Sequence, residues 1–326
     1  MTRSQEIKSF VEAAGLGEAT ITPLVQDASA RRYFRLTNGF ETTILMDAPP
    51  EQNQPQDRFA EVARWLHGAG FSAPEILQTD INAGLLLCED LSDALFNREI
   101  DEGRLSETVA FGAASDTLRH LHQIPPMPGL TAYTPRNMSR MTEPLFEFYQ
   151  PRDRRDFDAE NQFYHVLETS LGDTWLGSPV TLLRDFHAGN LVWLPERKGH
   201  QRVGLLDFQD AAIGHVAYDL VSMLFDIRRD INSDLAEDVI KNFAQKSDLP
   251  VTEFRAACAV QSAQRNLRIL GIFSALASEQ GKTGYLKWLP AVWKQLLKDL
   301  DHPALSDLRA LALSMLATPE NCKVTS

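Results

Sequence analysis

Leu183-Arg184-Asp185-Phe186-His187-Ala188-Gly189-Asn190, followed downstream by Leu206-Asp207-Phe208-Gln209-Asp210, is the stretch whose reading decides the fold. An apolar, strand-like segment runs into Asp185 and a second one runs into Asp207. Between them, Leu191-Val192-Trp193-Leu194 and Val203-Gly204-Leu205-Leu206 flank a polar turn and read as a hairpin. Asp and Asn in loops ordinarily make turns or cap helices. Here two strand entries and a hairpin of fitting length accompany them, so the oxygen-bearing side chains of Asp185, Asn190 and Asp207 are expected to converge.

Upstream, residues 4–15 have the spacing of a short helix, and 20–25 and 33–36 have strand character, with Gln26 to Arg32 between them. Asn38-Gly39 is a turn signal, and the β-branched, apolar run from Thr42 to Met46 behind it continues an antiparallel hairpin. A helix is expected over 57–67, where Phe59, Val62, Ala63 and Leu66 recur at helical spacing before Gly68 and Gly70. Strands follow at 74–77 and 84–88, the second running into the polar Glu89-Asp90-Leu91-Ser92-Asp93, a candidate hinge.

Beyond the hinge the pattern turns helical at 105–122 and 157–171, with a Pro-rich connector over 124–135. Helical spacing resumes around 235–245, 254–277 and 289–300, and Thr318 to Ser326 reads as a frayed tail. The expected class is α+β in two lobes: residues 1–90 as a small antiparallel-sheet lobe, and 91–326 as a larger, mainly helical lobe.

Length and composition agree with two lobes. The chain has 326 residues, 44% of them hydrophobic and 23% charged, enough for a sizeable core and unlike a disordered chain. A net charge of −12 disfavours nucleic acid and anionic membranes as partners, since both select basic surfaces. Cys88, Cys258 and Cys322 are far apart and odd in number, which suggests neither a disulfide framework nor a zinc site. The first ten residues are polar, and no uncharged apolar run reaches the roughly 18 residues of a spanning helix, so a cytoplasmic protein is expected. Oligomeric state is not legible here.

Phosphoryl transfer asks for a group that orients and deprotonates the attacking hydroxyl, and for hard oxygen ligands that hold magnesium against ATP phosphates. Asp185 suits the first role, and Asn190 and Asp207 the second, in the order of the catalytic and metal loops of the kinase scaffold. A nucleotide base is expected to meet backbone groups of Glu89 and Leu91 at the hinge.

On these residues the chain resembles the aminoglycoside phosphotransferase and choline kinase superfamily, a protein-kinase-like fold acting on small molecules. Leu118-Arg119-His120-Leu121-His122-Gln123-Ile124 is similar to its Leu-His-x-Ile helix end, and Tyr218-Asp219-Leu220 to its structural Asp, which implies that Asp219 braces the catalytic loop. Within the superfamily the chain looks most like the anomeric N-acetylmuramate/N-acetylglucosamine kinases of cell-wall recycling. That likeness rests on Asp27-Ala28-Ser29-Ala30-Arg31-Arg32-Tyr33-Phe34-Arg35, Met46-Asp47-Ala48-Pro49-Pro50, Asp207-Phe208-Gln209-Asp210-Ala211, residues 218–230, and 265–273 with 281–286. It implies transfer from ATP with Mg2+ to the anomeric hydroxyl of an amino sugar. A lactyl carboxylate on that sugar wants arginine, with Arg228, Arg265 and Arg268 as candidates and Asp226 for sugar hydroxyls or as their partner.

Two departures from the wider kinase pattern stand out. Met46 occupies the place of the lysine that holds the α- and β-phosphates, so Arg31 or Arg32, with the small Ser29 nearby, becomes the candidate substitute. Leu183 stands where many relatives have His before Arg-Asp, a change expected to alter loop support more than chemistry. Rival readings are an aminoglycoside O-phosphotransferase, which the acidic charge permits, and a catalytically weak nucleotide-binding regulator, which Met46 suggests.

Overall fold

The structure, a computed structural model, describes residues 2–24, 31–50, 56–151 and 155–324. Their strands are β1 (Thr20–Pro23), β2 (Arg32–Asn38), β3 (Glu41–Asp47), β4 (Ile76–Asp80), β5 (Leu85–Glu89), β6 (Thr131–Ala132), β7 (Val180–Leu182), β8 (Leu191–Trp193), β9 (Val203–Leu205) and β10 (Ala212–Gly214). The helices are α1 (Arg3–Ala13), α2 (Gln56–Gly68), α3 (Phe96–Asp101), α4 (Glu107–Leu121), α5 (Pro135–Arg140), α6 (Phe157–Asp173), α7 (Tyr218–Leu224), α8 (Ser233–Lys246), α9 (Val251–Gln280), α10 (Leu289–Leu300) and α11 (Ser306–Met315). The chain packs as two compact units, Met1–Thr117 with Ala188–Ala211, and Leu118–His187 with Ala212–Ser326.

The first unit is built on an antiparallel sheet in the order β1-β2-β3-β5-β4. Strand alternation gives the sheet two unlike faces. On one, Leu36, Leu45, Leu85 and Leu87 bury against Phe10 and Val11 of α1, which starts at a Thr2–Gln5 capping box. On the other, the register aligns Tyr33 with Met46 and Leu86, and Arg35 with Ile44 and Cys88.

The β2–β3 turn falls one residue later than Asn38-Gly39 suggested: Asn38 pairs with Glu41, and the loop residues are Gly39, at φ +63°, and Phe40. Turn type II′ asks positive φ of its first central residue alone, which Gly39 supplies. α2 buries the expected Phe59, Val62, Ala63 and Leu66. β8 and β9 form the expected hairpin, which joins the rest of the unit through bridges from Ser72 to Gly204 and from Leu95 to Val192.

The second unit centres on α9, which packs against α7, α8, α10 and a π-helical turn at Leu145–Tyr149. Gly271 lets that turn approach: a Cβ there would stand 2.9 Å from the Leu145 Cα and closer still to neighbouring backbone atoms. A three-stranded sheet in the order β6-β10-β7 completes the unit. β6 and β10 are too short to show a period in the sequence and exist through pairing. The tail is not frayed as far as residue 324: Cys322 is buried and the Lys323 N–H donates to the Tyr149 carbonyl at 2.8 Å.

Candidate active site

In the second unit, β7 delivers the chain to Asp185 through a backbone bend that two side chains hold. The Asp219 carboxylate, fully buried at the start of α7, accepts the Leu183 N–H at 2.6 Å and the Arg184 N–H at 2.9 Å. The Ser222 hydroxyl donates to the Arg184 carbonyl at 3.0 Å. Arg184 itself sits at φ +68°, a conformation that costs a non-glycine residue roughly 1–2 kcal/mol and persists because both of its peptide groups are tied down. Its guanidinium lies over the Tyr133 ring at 5.3 Å. Asp185 follows, its N–H donating to the Leu183 carbonyl at 2.9 Å, so a backbone bond closes the turn that presents the carboxylate.

Burial raises the Asp219 carboxyl to about 7, against the pull of its two N–H donors, and the nearby Asp185 charge pushes the same way. His187, two residues past Asp185, is buried with Nδ1 3.8 Å from Asp226. Burial, then the positive charges of Arg228 and Arg265, hold its imidazole down to about 3, so it is neutral at physiological pH. Asp226 is buried too, yet the Arg228 charge and its Nε and N–H bonds, 2.9 and 3.1 Å, outweigh that burial and keep the carboxyl below its usual range. Asp226, Arg228 and Arg265 therefore belong to one electrostatic group around His187. Arg268, half-buried and nearly one turn along α9 from Arg265, has no ion pair with that group.

In the first unit, Asn190 ends a short 3₁₀ turn and Asp207 follows β9. The Leu206 N–H donates to the Asn190 carbonyl at 3.0 Å, which brings the two side chains together: the Asn190 amide nitrogen is 3.4 Å from Asp207 Oδ2. Gln209 donates to Asp207 Oδ1 at 2.9 Å. Asp207 adopts φ +56°, and the next residue, Phe208, is buried and stacked on Phe59 of α2 at 5.0 Å. A carboxylate and an amide oxygen are hard donors that suit magnesium. Among the described residues no cluster of three or more His, Cys, Asp or Glu could hold a metal unaided. Magnesium commonly takes one or two protein oxygens and fills its shell with phosphate and water, so this pair fits it.

The structure separates the two arginines that the sequence left as alternatives. Arg32 lies opposite Asp47 and pairs with it on the α1 face, where Arg3 also binds Asp47, at 2.5 Å. Arg31 is buried within hydrogen-bonding reach of the Tyr33 hydroxyl, which burial raises above its usual range while the Arg31 charge pulls it back and the Asp207 charge pushes it up. Ser29 lies outside the described residues.

At the expected hinge, the Glu89 N–H is already given to the Glu75 carbonyl at 2.9 Å, so Glu89 can offer a base only its carbonyl. Its side chain pairs with Arg197 at 2.5 Å, and Leu91 is buried against the β8–β9 hairpin beside Gly204. Sequence reasoning passed over Tyr33 and Gln209. Gln209 carried a usable signal, two residues beyond the metal-loop Asp; Tyr33 carried none before the strand register was known.

The profile of the phosphotransferase enzyme family matches residues 20–257. An N-acetylmuramate/N-acetylglucosamine kinase of Caulobacter vibrioides is 33% identical, covering 95% of this chain and 97% of its own. A protein of the same name from Pseudomonas aeruginosa is 28% identical, with 93% and 91% covered. Among solved structures, a choline/ethanolamine kinase family protein from Mesorhizobium loti superposes with a TM-score of 0.67 at 14% identity, covering 96% of this chain and all of that one. That likeness shows the fold to be protein-kinase-like, with an antiparallel sheet first and a larger helical part after it.

Proposed function

The chain belongs to the phosphotransferase enzyme family and is an ATP-dependent kinase acting on a hydroxyl, and from that premise we propose that it uses Mg2+ and phosphorylates the anomeric hydroxyl of N-acetylmuramate or N-acetylglucosamine. The observation that carries the acceptor is the 33% identity, over 95% of this chain, to a kinase named for those two sugars.

Asp185 is the base that orients the hydroxyl and takes its proton as the oxygen attacks the γ-phosphorus and the bond to the β-phosphate oxygen breaks, leaving ADP. Asn190 and Asp207 hold the magnesium, which when bound offsets the negative charge of the phosphates. The Glu89 carbonyl and the Leu91 N–H take the base of the nucleotide. Arg31 contributes to the phosphates; Arg32, committed to Asp47, is set aside as a phosphate ligand.

Asp226, Arg228 and Arg265 surround a neutral His187 and offer both a carboxylate for sugar hydroxyls and guanidinium groups for a lactyl carboxylate. Arg268 is a further, outlying candidate for that carboxylate. A mixed charge pattern with arginines suits a sugar acid better than a polycationic aminoglycoside. Function divides near residue 90, with nucleotide held mainly by 1–90 and by Leu91 at the boundary, and catalysis and acceptor by 91–326, whereas packing groups Ala188–Ala211 with the N-terminal sheet. The enzyme works in the cytoplasm, where ATP is supplied; among the described residues no helix is long and apolar enough to cross a membrane.

The test is ATP consumption over N-acetylmuramate, N-acetylglucosamine, their 1-O-methyl glycosides, glucose, choline and kanamycin. Turnover with the free acetylated sugars and none with their glycosides is the expected result. Silence with both free sugars overturns the acceptor, and turnover of the glycosides overturns the anomeric position.

A further inference from the structure

We propose that the Tyr33 hydroxyl, oriented by Arg31, binds a phosphate oxygen of the nucleotide, so that this pair takes the place of the lysine missing at position 46. The inference rests on the ATP reading above. Position 46 lies in the middle of the sheet, with Tyr33 directly across on β2 and Leu86 across on β5. Residues directly opposite in an antiparallel pair project from the same face. Tyr33 thus leaves the sheet on the side where a lysine at 46 would, and not on the side that α1 covers.

The chemistry around its hydroxyl is what a phosphate needs. Arg31 lies within hydrogen-bonding reach of the phenolic oxygen, and the Asp207 carboxylate lies close enough to be felt there. A hydroxyl that accepts from a guanidinium keeps its own proton to donate, and a guanidinium has further N–H groups in a fixed fork. Together they supply a donor and a positive charge next to the carboxylate assigned to the metal. The Cys88 thiol, also near Tyr33, is pushed up to about 12 by burial and brings no charge of its own. Arg32 cannot substitute, because its alternation places it on the opposite face with Asp47 and Arg3. Met46 is fully buried, so the position has been given to packing and the phosphate contact moved one strand over.

The experiment is calorimetric titration of the full chain with ATP, ADP and adenosine, each with magnesium and with a chelator, for the wild type, Tyr33→Phe and Arg31→Met. Tyr33→Phe removes one oxygen and keeps the ring; thermal melts confirm that each variant is folded. ATP and ADP are expected to bind Tyr33→Phe about tenfold more weakly, as for loss of one hydrogen bond to a charged group, with adenosine unchanged. The loss is expected with and without magnesium, and Arg31→Met should show at least the same pattern.

ATP affinity within twofold of wild type in Tyr33→Phe overturns the proposal, as does an equal loss for adenosine. A loss that disappears in chelator also overturns it, since Tyr33 would then act only by positioning Asp207. Wild-type protein that binds neither ATP nor ADP overturns the nucleotide reading itself, a result separate from the failure of Tyr33→Phe alone.

Discussion

Replacing Asp219 by Ala should loosen the bend that presents Asp185, and its size follows from two hydrogen bonds. The substitution strands the Leu183 N–H, which is buried, and the Arg184 N–H, which is partly buried. An unsatisfied buried donor costs about 1–3 kcal/mol, so the loss is about 2–6 kcal/mol, a large share of the roughly 5–15 kcal/mol that holds a typical domain folded. The loss should also depend on pH. Asp219 has its folded pKa raised to about 7 from 3.8, so the folded protein binds a proton there that the unfolded chain does not, and wild-type stability falls as pH rises between those values. The variant lacks that slope. Its deficit against wild type should therefore shrink by about 1.4 kcal/mol per pH unit from pH 5 to pH 7.

Urea unfolding at pH 5 and pH 8 reads the stability, and kcat reads the loop. With Arg184 free to leave φ +68°, Asp185 loses its placement, and kcat should fall about a hundredfold while ATP affinity holds. A variant with wild-type urea midpoints at both pH values and unchanged kcat would refute the bracing role. A pH-independent deficit would refute the raised carboxyl.

Asp185→Ala should abolish turnover while ATP still binds, measured by coupled ADP release and by calorimetry; near-normal phosphotransfer would remove Asp185 from the base role. Asp207→Ala should weaken Mg-ATP at least about tenfold and leave metal-free ATP less affected, since one of the two hard ligands is lost; equal affinities would count against metal binding there. His122 is held near 3 by burial, with no hydrogen-bond partner for either ring nitrogen, so wild-type stability should be lost as pH falls below 6.5, where the unfolded chain alone takes up that proton. His122→Leu should remove about 1.4 kcal/mol per pH unit of that slope between pH 6 and 4, read from urea midpoints, and an unchanged slope would assign the acid sensitivity elsewhere. Gly271→Ala should destabilise by about 1–3 kcal/mol or more, because the new methyl meets backbone of the π-helical turn and not a movable side chain; a melting temperature equal to wild type would show that the turn can yield.

What the sequence determined by itself is local. Helix period placed α2, α6 and α9, the apolar runs into Asp185 and Asp207 placed β7 and β9, and the covalent spacing of Asp185, Asn190 and Asp207 named the reaction class, because each of these signals lives within a few turns of chain. Asp219 was legible through its resemblance, although its two N–H partners were not. Tertiary structure alone decided the rest. Arg31 and Arg32 are neighbours of the same type, and only the β2–β3 register and the arrival of Arg3 from α1 send one to Asp47 and leave the other with Tyr33. The Glu89 N–H looked available until the residue before β4 supplied the Glu75 carbonyl, and Cys322 looked frayed until it met the core of the second unit. The physical reason is the same each time: alternation says which side chains share a face, but which face is covered, and by what, is set by partners tens of residues away.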